Sequence, residues 1–517
     1  MNMKTKILVL LLAWCFTGCK GFLEEMSQTE IHPSTILDME KLLEGEGYWT
    51  ESDATFTDAT NVFTDDVTCK IVSDRTLDIK IRDKYKYMWD ITMFDDNGEG
   101  TDISLWQTPY KYIKGCNVIL EYVDDMITSG EEDRIKREHI RGEAYVLRGL
   151  YHFYLVNFFG APYNFGDPTQ NPGIPLKISS GVSTDERPTR ASVADCYEQI
   201  EKDLQEGTAL MSANRSEASS KANRINYLVG YTLLSRMYLY MEDWDKTIRY
   251  ADSVLLQKPE LRMFAETPNY YTYTGRMRNV ESLWEMPTSF AGSGDADRRT
   301  VLCPYSDASN DLINVFGKDL TNQETDLRVM TQDEDNPDWP GYDGRSVTYL
   351  QTGGAAIYDD DDKVVGYDEF YVVYKGYEWT GLRTAELYLN RAEAYIKKYI
   401  EEGDAGCAQL AIDDLNYLRM HRFDPSGFVE KKMADFSNGQ ALLEFCQRER
   451  RRELCGEGNH RWFDLRRQGM PAITHVYLDN DTGMESKFEL QQEDLRYVLP
   501  IPRDVRDRNP DLVQNKY

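Results

Sequence analysis

Apolar side chains recur at alternating three- and four-residue steps in several stretches of this chain, the spacing that lines one face of an α-helix. Ile140, Ala144, Leu147, Tyr151, Tyr154 and Phe158 make the longest such face. Trp106, Tyr110, Ile113 and Leu120 make another, with Asn117 as its polar member. Tyr227, Tyr231, Leu234, Tyr238 and Met241 form a third that stops at Glu242-Asp243, and Trp244, Ile248, Ala251 and Leu255 resume at once. Late in the chain, Ala385, Leu389, Ala392 and Ile396 are followed, across a turn at Gly403, by Ala408, Ala411, Leu415 and Leu418. Two helices, a short turn and small residues where they cross define a tetratricopeptide-like pair. The pattern predicts several such pairs, scattered rather than tandem.

Between the pairs the periodicity lapses. Residues 159–190 carry Gly160, Pro162, Pro172 and Pro175, and residues 256–380 carry Pro259, Pro268, Pro304, Pro337 and Pro340. Loops of that length are usually functional. Trp106 and Trp244 fall on helical stripes and read as core. Trp89 follows Tyr85 and Tyr87 in strand-like alternation and reads as half buried. Tyr270, Tyr271, Tyr273, Tyr305, Trp339, Tyr342, Tyr349 and Tyr358 lie outside any three-four repeat.

The N-terminus has its own pattern. Lys4 and Lys6 precede an apolar run from Ile7 to Phe16, and Thr17, Gly18 and Cys19 follow. A positive start, a short apolar stretch and small residues make a secretory signal peptide, too short to span a membrane. With Cys19 directly after Gly18 it is similar to a bacterial lipoprotein signal, in which Cys19 is acylated and becomes the new N-terminus. One acyl chain, at about 0.8 kcal/mol per buried CH₂, anchors weakly, so stable attachment takes several. Glu24-Glu25 reads either as an acidic export tether of the Bacteroides type or as a solvated linker. No later stretch reaches the roughly 18 apolar residues of a spanning helix.

At 517 residues and a formal charge of −29, the chain is long and acidic. Such a surface repels phosphate backbones and disfavours nucleic acid as a partner, while tolerating sugars and peptides. Seven cysteines follow Cys19, widely spaced and without CxxC. They read as small buried hydrophobes, neither a disulfide framework nor a zinc site. The six histidines never fall at HExxH spacing, and there is no GxSxG elbow or Walker loop. Asp359 to Asp362, and Asp295 with Asp297, offer oxygens to calcium, but solvated loop acids are the favoured reading. No cofactor or metal is expected. Paired carboxylates of a glycoside hydrolase stay open, because an acidic chain has too many candidates.

Five segments in order carry a resemblance: Ile140 to Phe159 with Gly160-Ala161-Pro162, Arg224 to Leu255, Leu382 to Tyr395, Arg448 to Gly469 with its RRREL…HRWFDLRRQG run, and Leu499 to Tyr517. With the lipoprotein signal before them, they resemble the SusD/RagB family of surface lipoproteins. The resemblance implies a mainly α fold of tetratricopeptide-like helix pairs with long loops and minor β-strands. It also implies a non-catalytic receptor that binds a nutrient oligosaccharide, or in some members a peptide. Such a receptor passes its cargo to a SusC-like TonB-dependent transporter in the outer membrane, itself facing the cell exterior.

On this plan residues 1–18 are the signal and 19–517 one body, with halves 19–255 and 381–517 around a variable, loop-rich ligand region 256–380. The charged run Arg448 to Arg467 reads as a bracing ion-pair network rather than an active site. Asn117 reads as a satisfied core amide. The resemblance places binding on a face built from the loop region and the loop before the Trp106 helix. A ring there covers the C–H face of a sugar while carboxylates and amides bond its hydroxyls. The candidate contacts are Asp96 and Asn97, in the loop Asp95-Asp96-Asn97, with Tyr271, Tyr273, Trp339 and Tyr342.

Overall fold

A computed structural model describes residues 33–69, 80–81, 83–95, 102–181, 187–216, 223–266, 280–286, 307–329, 349–358, 364–373 and 381–517. The described part is mainly helical. Helix α1 (Ile36–Leu42) and the short α2 (Lys84–Tyr87) precede α3 (Ser104–Tyr122) and the long α4 (Glu131–Phe159). Then come α5 (Val193–Ala213), α6 (Tyr227–Tyr240) and α7 (Trp244–Leu255). After α8 (Asn310–Gly317), the helices α9 (Thr384–Glu402), α10 (Ala405–Met420), α11 (Gly439–Leu454), α12 (His460–Arg467) and α13 (Arg503–Arg508) complete the set.

Every apolar stripe named from the sequence is a helix, and its boundaries follow local chemistry. The Asp243 carboxylate caps α7 by accepting from the Lys246 amide, and Gly403 ends α9 at φ 75°, where a side chain would be strained. Helix α5 was not read from the pattern. Its buried face of Val193, Cys196, Tyr197, Ile200, Leu204 and Met211 is interrupted by Asp203 and Gly207, whose reasons lie on α4. Asp203 receives both ends of the Arg148 guanidinium, at 2.8 and 2.6 Å. Gly207 meets Gly142 so closely that a Cβ on it would stand 2.4 Å from the Gly142 carbonyl oxygen.

Strands are few and pair as antiparallel two-stranded units: β1 (Val67–Thr68) with β3 (Asp307–Ala308), and β2 (Ser282–Glu285) with β6 (Gly381–Arg383). The other two units are β4 (Leu350–Tyr358) with β5 (Val364–Val373), and β7 (Ile473–Leu478) with β8 (Glu485–Leu490). Region 256–380 is therefore not simply loop: it supplies α8 and the strands β2 to β5. These are too short, or too rich in glycine and polar residues, to show a helical period.

Two aromatic expectations are corrected. Trp89 is not half buried on a strand; it is fully buried, just after α2, at φ 52°, and its Nε1–H donates to Phe63 O at 3.0 Å. Tyr349 is no loop ring but a fully buried core residue. Asn117 is satisfied as expected, donating to Lys177 O and Ser179 O and accepting from Arg148. Cys69, Cys116, Cys196, Cys407, Cys446 and Cys455 are buried, as small hydrophobes would be, while Cys303 lies outside the described residues.

Residues 499–515 return to the end of α4. Leu499 N donates to Phe158 O at 2.9 Å, and Asn515 Nδ2 and Arg190 Nη2 both donate to Phe159 O. Arg466 donates to Asn157 O and Gly160 O. These donors satisfy carbonyls that a helix C-terminus leaves unpaired, and two guanidinium charges face the negative end of its dipole.

Candidate ligand-binding face

Cys19, Asp96, Asn97, Tyr271, Tyr273, Trp339 and Tyr342 all lie outside the described residues, as do Asp295, Asp297 and the run Asp359 to Asp362. What the structure provides is the framework from which those segments leave.

The segment with Asp96 and Asn97 departs after Asp95 and returns at Asp102, whose N–H donates to Phe94 O at 3.2 Å. Asp102 accepts from the backbone and hydroxyl of Ser104, starting α3, and from Lys86 Nζ at 2.8 Å. Burial opposes the charge on Asp102, but the ammonium of Lys86 and these bonds hold its carboxyl below the usual range. Lys86 also pairs with Asp83, so the base of this segment is an ion cluster of one ammonium between two carboxylates.

The segments with Tyr271, Tyr273, Trp339 and Tyr342 leave from a second base. Residues 267–279 end one position before Val280-Glu281. Residues 330–348 start after Val329 and end at Tyr349. Residues 374–380 end at Gly381, two positions before Arg383. Glu281, Arg328, Tyr349 and Arg383 all meet around Glu453 of α11. One Glu453 oxygen accepts from Arg383 Nη1 at 2.5 Å and Arg422 Nη2 at 2.9 Å. The other accepts from Arg328 Nη1 at 3.0 Å. Glu281 accepts from Arg422 at 2.7 Å and Arg383 at 3.1 Å. The Arg328 carbonyl closes the base of 330–348 by accepting from the backbone of Tyr349 and Leu350. Above Arg422, the Phe264 ring lies 4.4 Å from the guanidinium and packs edge-on to Tyr349.

Burial works against the charge on Glu453, yet Arg422, Arg383 and Arg328 hold its carboxyl well below the ordinary carboxylate range. All four groups are buried. The rest of the charged run behaves alike: Arg450 binds Asp464, Arg467 binds Glu393, and Arg451 binds Asp66 and Asp311. Asp464 is drawn down to about 2 by Arg450 and Arg467 despite its burial. The run is a bracing network, as its alternating charge suggested. Glu281, Arg328 and Arg422 were missed, because each stands alone in sequence with no spacing to mark it. Among the described residues no group of His, Cys, Asp and Glu is arranged to hold a metal ion, and no helix is long and apolar enough to cross a membrane.

This architecture is a scaffold of paired helices braced by buried ion pairs, and comparison with known proteins gives it a family. The family model described as "Starch-binding associating with outer membrane" matches residues 21–239, and that of the SusD family matches residues 364–517. The chain belongs to the SusD family. None of the curated proteins compared matches it. Among solved structures, a SusD superfamily protein from Bacteroides vulgatus is 23% identical, covering 93% of this chain and 99% of its own, with a TM-score of 0.63. A SusD superfamily protein from Bacteroides thetaiotaomicron is also 23% identical, covering 93% and 100%, at 0.61. A SusD-like carbohydrate binding protein from Bacteroides vulgatus is 20% identical, covering 93% and 98%, at 0.61. At these identities the likeness is one of fold. The resemblance read from the five sequence segments is borne out, and so is the mainly helical architecture.

Proposed function

We propose that this chain is a non-catalytic receptor that captures an oligosaccharide and hands it to a TonB-dependent outer-membrane transporter. The observation that carries the reading is the pair of family matches, one of them to a family described by starch binding and outer-membrane association. The carbohydrate-binding relative supports the ligand class. The framework adds a physical reason: the segments bearing Tyr271, Tyr273, Trp339 and Tyr342 leave from one rigid ionic base, which suits a face that must hold several rings in register. Asp96 and Asn97 leave from a second, equally pinned base. In this reading 256–380 is the ligand region between the halves 19–255 and 381–517. Acylation at Cys19 holds the body on the outer membrane, turned outward.

Incubation of the purified protein with a panel of oligosaccharides tests it. Retention without new reducing ends is the expected result. New reducing ends would make it a glycoside hydrolase, and binding of peptides alone would make it a peptide receptor. Affinity purification in mild detergent should recover a barrel protein; recovery of none would remove the transporter role.

A further inference from the structure

We propose that Asn438 is a site of spontaneous deamidation, in which the backbone nitrogen of Gly439 displaces the side-chain amide and leaves aspartate or isoaspartate at the start of α11.

The reaction needs an asparagine carboxamide open to solvent and a following backbone nitrogen that no side chain shields. Asparagine is among the thermolabile residue types, and Asn438 is exposed at the N-cap of α11. Its neighbour is glycine for a reason of packing. A Cβ at position 439 would stand 2.7 Å from Ile400 Cγ1 and 3.1 Å from the Tyr399 ring, both on α9. The close approach of α9 and α11 therefore keeps the labile dipeptide in place. Gly439 is also the first residue of its helix, where a backbone N–H has no intrahelical carbonyl to donate to.

The Gly439 nitrogen attacks Asn438 Cγ and closes a five-membered succinimide ring. The bond from Cγ to Nδ2 breaks, and ammonia leaves with the proton that the Gly439 nitrogen gives up. Water then opens the ring. Addition at Cγ gives aspartate, while addition at the main-chain carbon gives isoaspartate, with one more carbon in the backbone. Nothing is oxidised or reduced.

The fold slows this step without forbidding it. Asn438 Oδ1 accepts from Ala441 N at 2.9 Å and must let go before the ring can close. A cap of this kind shifts an equilibrium by about fivefold, and the rate falls by a similar factor. The two products differ in what they leave behind. Aspartate keeps an oxygen for the Ala441 amide and adds a negative charge at the positive end of the helix dipole. Isoaspartate displaces the cap of the helix that carries Glu453.

Ageing the full chain in warm, mildly alkaline buffer tests the proposal, followed by trypsin digestion and mass spectrometry. The fragment Met433 to Arg448 holds Asn438 as its only asparagine, and a synthetic peptide of the same residues serves as the unfolded reference. Asn438 in the folded chain should convert about fivefold more slowly than in the peptide. Isoaspartyl methyltransferase should label this fragment from aged protein and not from fresh protein. Asn438→Ser, which can still cap but has no amide to lose, should leave the fragment unlabelled. Conversion more than about a hundredfold slower than in the peptide would overturn the proposal, since the site would then react only through rare opening of the fold. So would label confined to Asn97-Gly98, the chain's other dipeptide of this kind.

Discussion

The imidazole of His475, on β7, stacks on the indole of Trp89 with 3.9 Å between ring centroids and 26° between planes. The Tyr87 ring lies on the histidine too, at 4.2 Å, so a residue of the C-terminal hairpin is clamped by two from the N-terminal part of the chain. Both ring nitrogens lie 2.7 Å from backbone carbonyls, Tyr87 O and Thr64 O. Trp89 holds a left-handed backbone conformation uncommon for a bulky residue, and the clamp accounts for its persistence.

Acid should loosen this clamp. Burial pushes His475 down to about 4, more than its bonds to the two carbonyls raise it, and pushes His152 down to about 3. An unfolded histidine titrates near 6.5, so below that pH the unfolded chain takes up protons that the folded chain refuses. The stabilisation is therefore complete above about pH 6.5 and is lost as pH falls through about 4. His475 contributes on the order of 3 kcal/mol across that window, and His152, whose window reaches down to about pH 3, about 5 kcal/mol. Urea denaturation at pH 7 and pH 5 should show His475→Gln with a shallower pH dependence than the parent; equal slopes would mean His475 titrates normally.

Glu453→Gln should be strongly destabilising, by about 3–5 kcal/mol, because it leaves Arg328, Arg383 and Arg422 buried against a neutral amide. Chemical denaturation checks it. A loss under about 1 kcal/mol would show that Glu281, Glu449 and Glu457 suffice to hold the cluster.

The crossing of α4 and α5 predicts a contrast between two glycines. Gly207→Ala should cost about 1–3 kcal/mol, since its Cβ would collide with the Gly142 carbonyl and the helices would have to separate. Gly45→Ala has open space within 4 Å and should change stability by less than about 0.5 kcal/mol. Thermal melts of the two variants, side by side, decide it.

For the proposed ligand contacts, Trp339→Ala should weaken glycan binding by about thirtyfold or more, the scale of a hot-spot aromatic, and shift stability by under about 0.5 kcal/mol. A large fall in melting temperature with unchanged affinity would make Trp339 a core residue.

Cys19→Ala should release the protein from the outer-membrane fraction, because the acyl chains would have no attachment point. Unaltered fractionation would exclude lipidation as the anchor.

The helices were legible because their signal is local: Ile140 to Phe158 repeat within one helix face whatever packs against it. Even Asn117, a polar residue in an apolar stripe, could be read as core, since an amide can bond neighbouring backbone. Trp89 and Tyr349 failed for the opposite reason. The first is buried by a histidine 386 positions away and the second by groups around Glu453, and neither partner leaves a trace beside them in sequence. Arg448 to Arg467 announced a network through alternating charge, but Arg328 and Glu281 complete it from stretches with no period. The proposed ligand contacts, rings outside every repeat with Asp96 and Asn97, carry no periodic signal, and all of them lie outside the described residues.

The return of residues 499–515 to the end of α4 bears on how the chain matures. Helix α4 is made early, yet Leu499 and Asn515 close its last carbonyls, and contacts that far apart in sequence form slowly. As the chain emerges N-terminus first, the scaffold stays open at this seam until residues 499–515 arrive. Removing residues 499–515 should therefore loosen the body from this seam inward, beginning at the carbonyls of Phe158 and Phe159 that it would uncover.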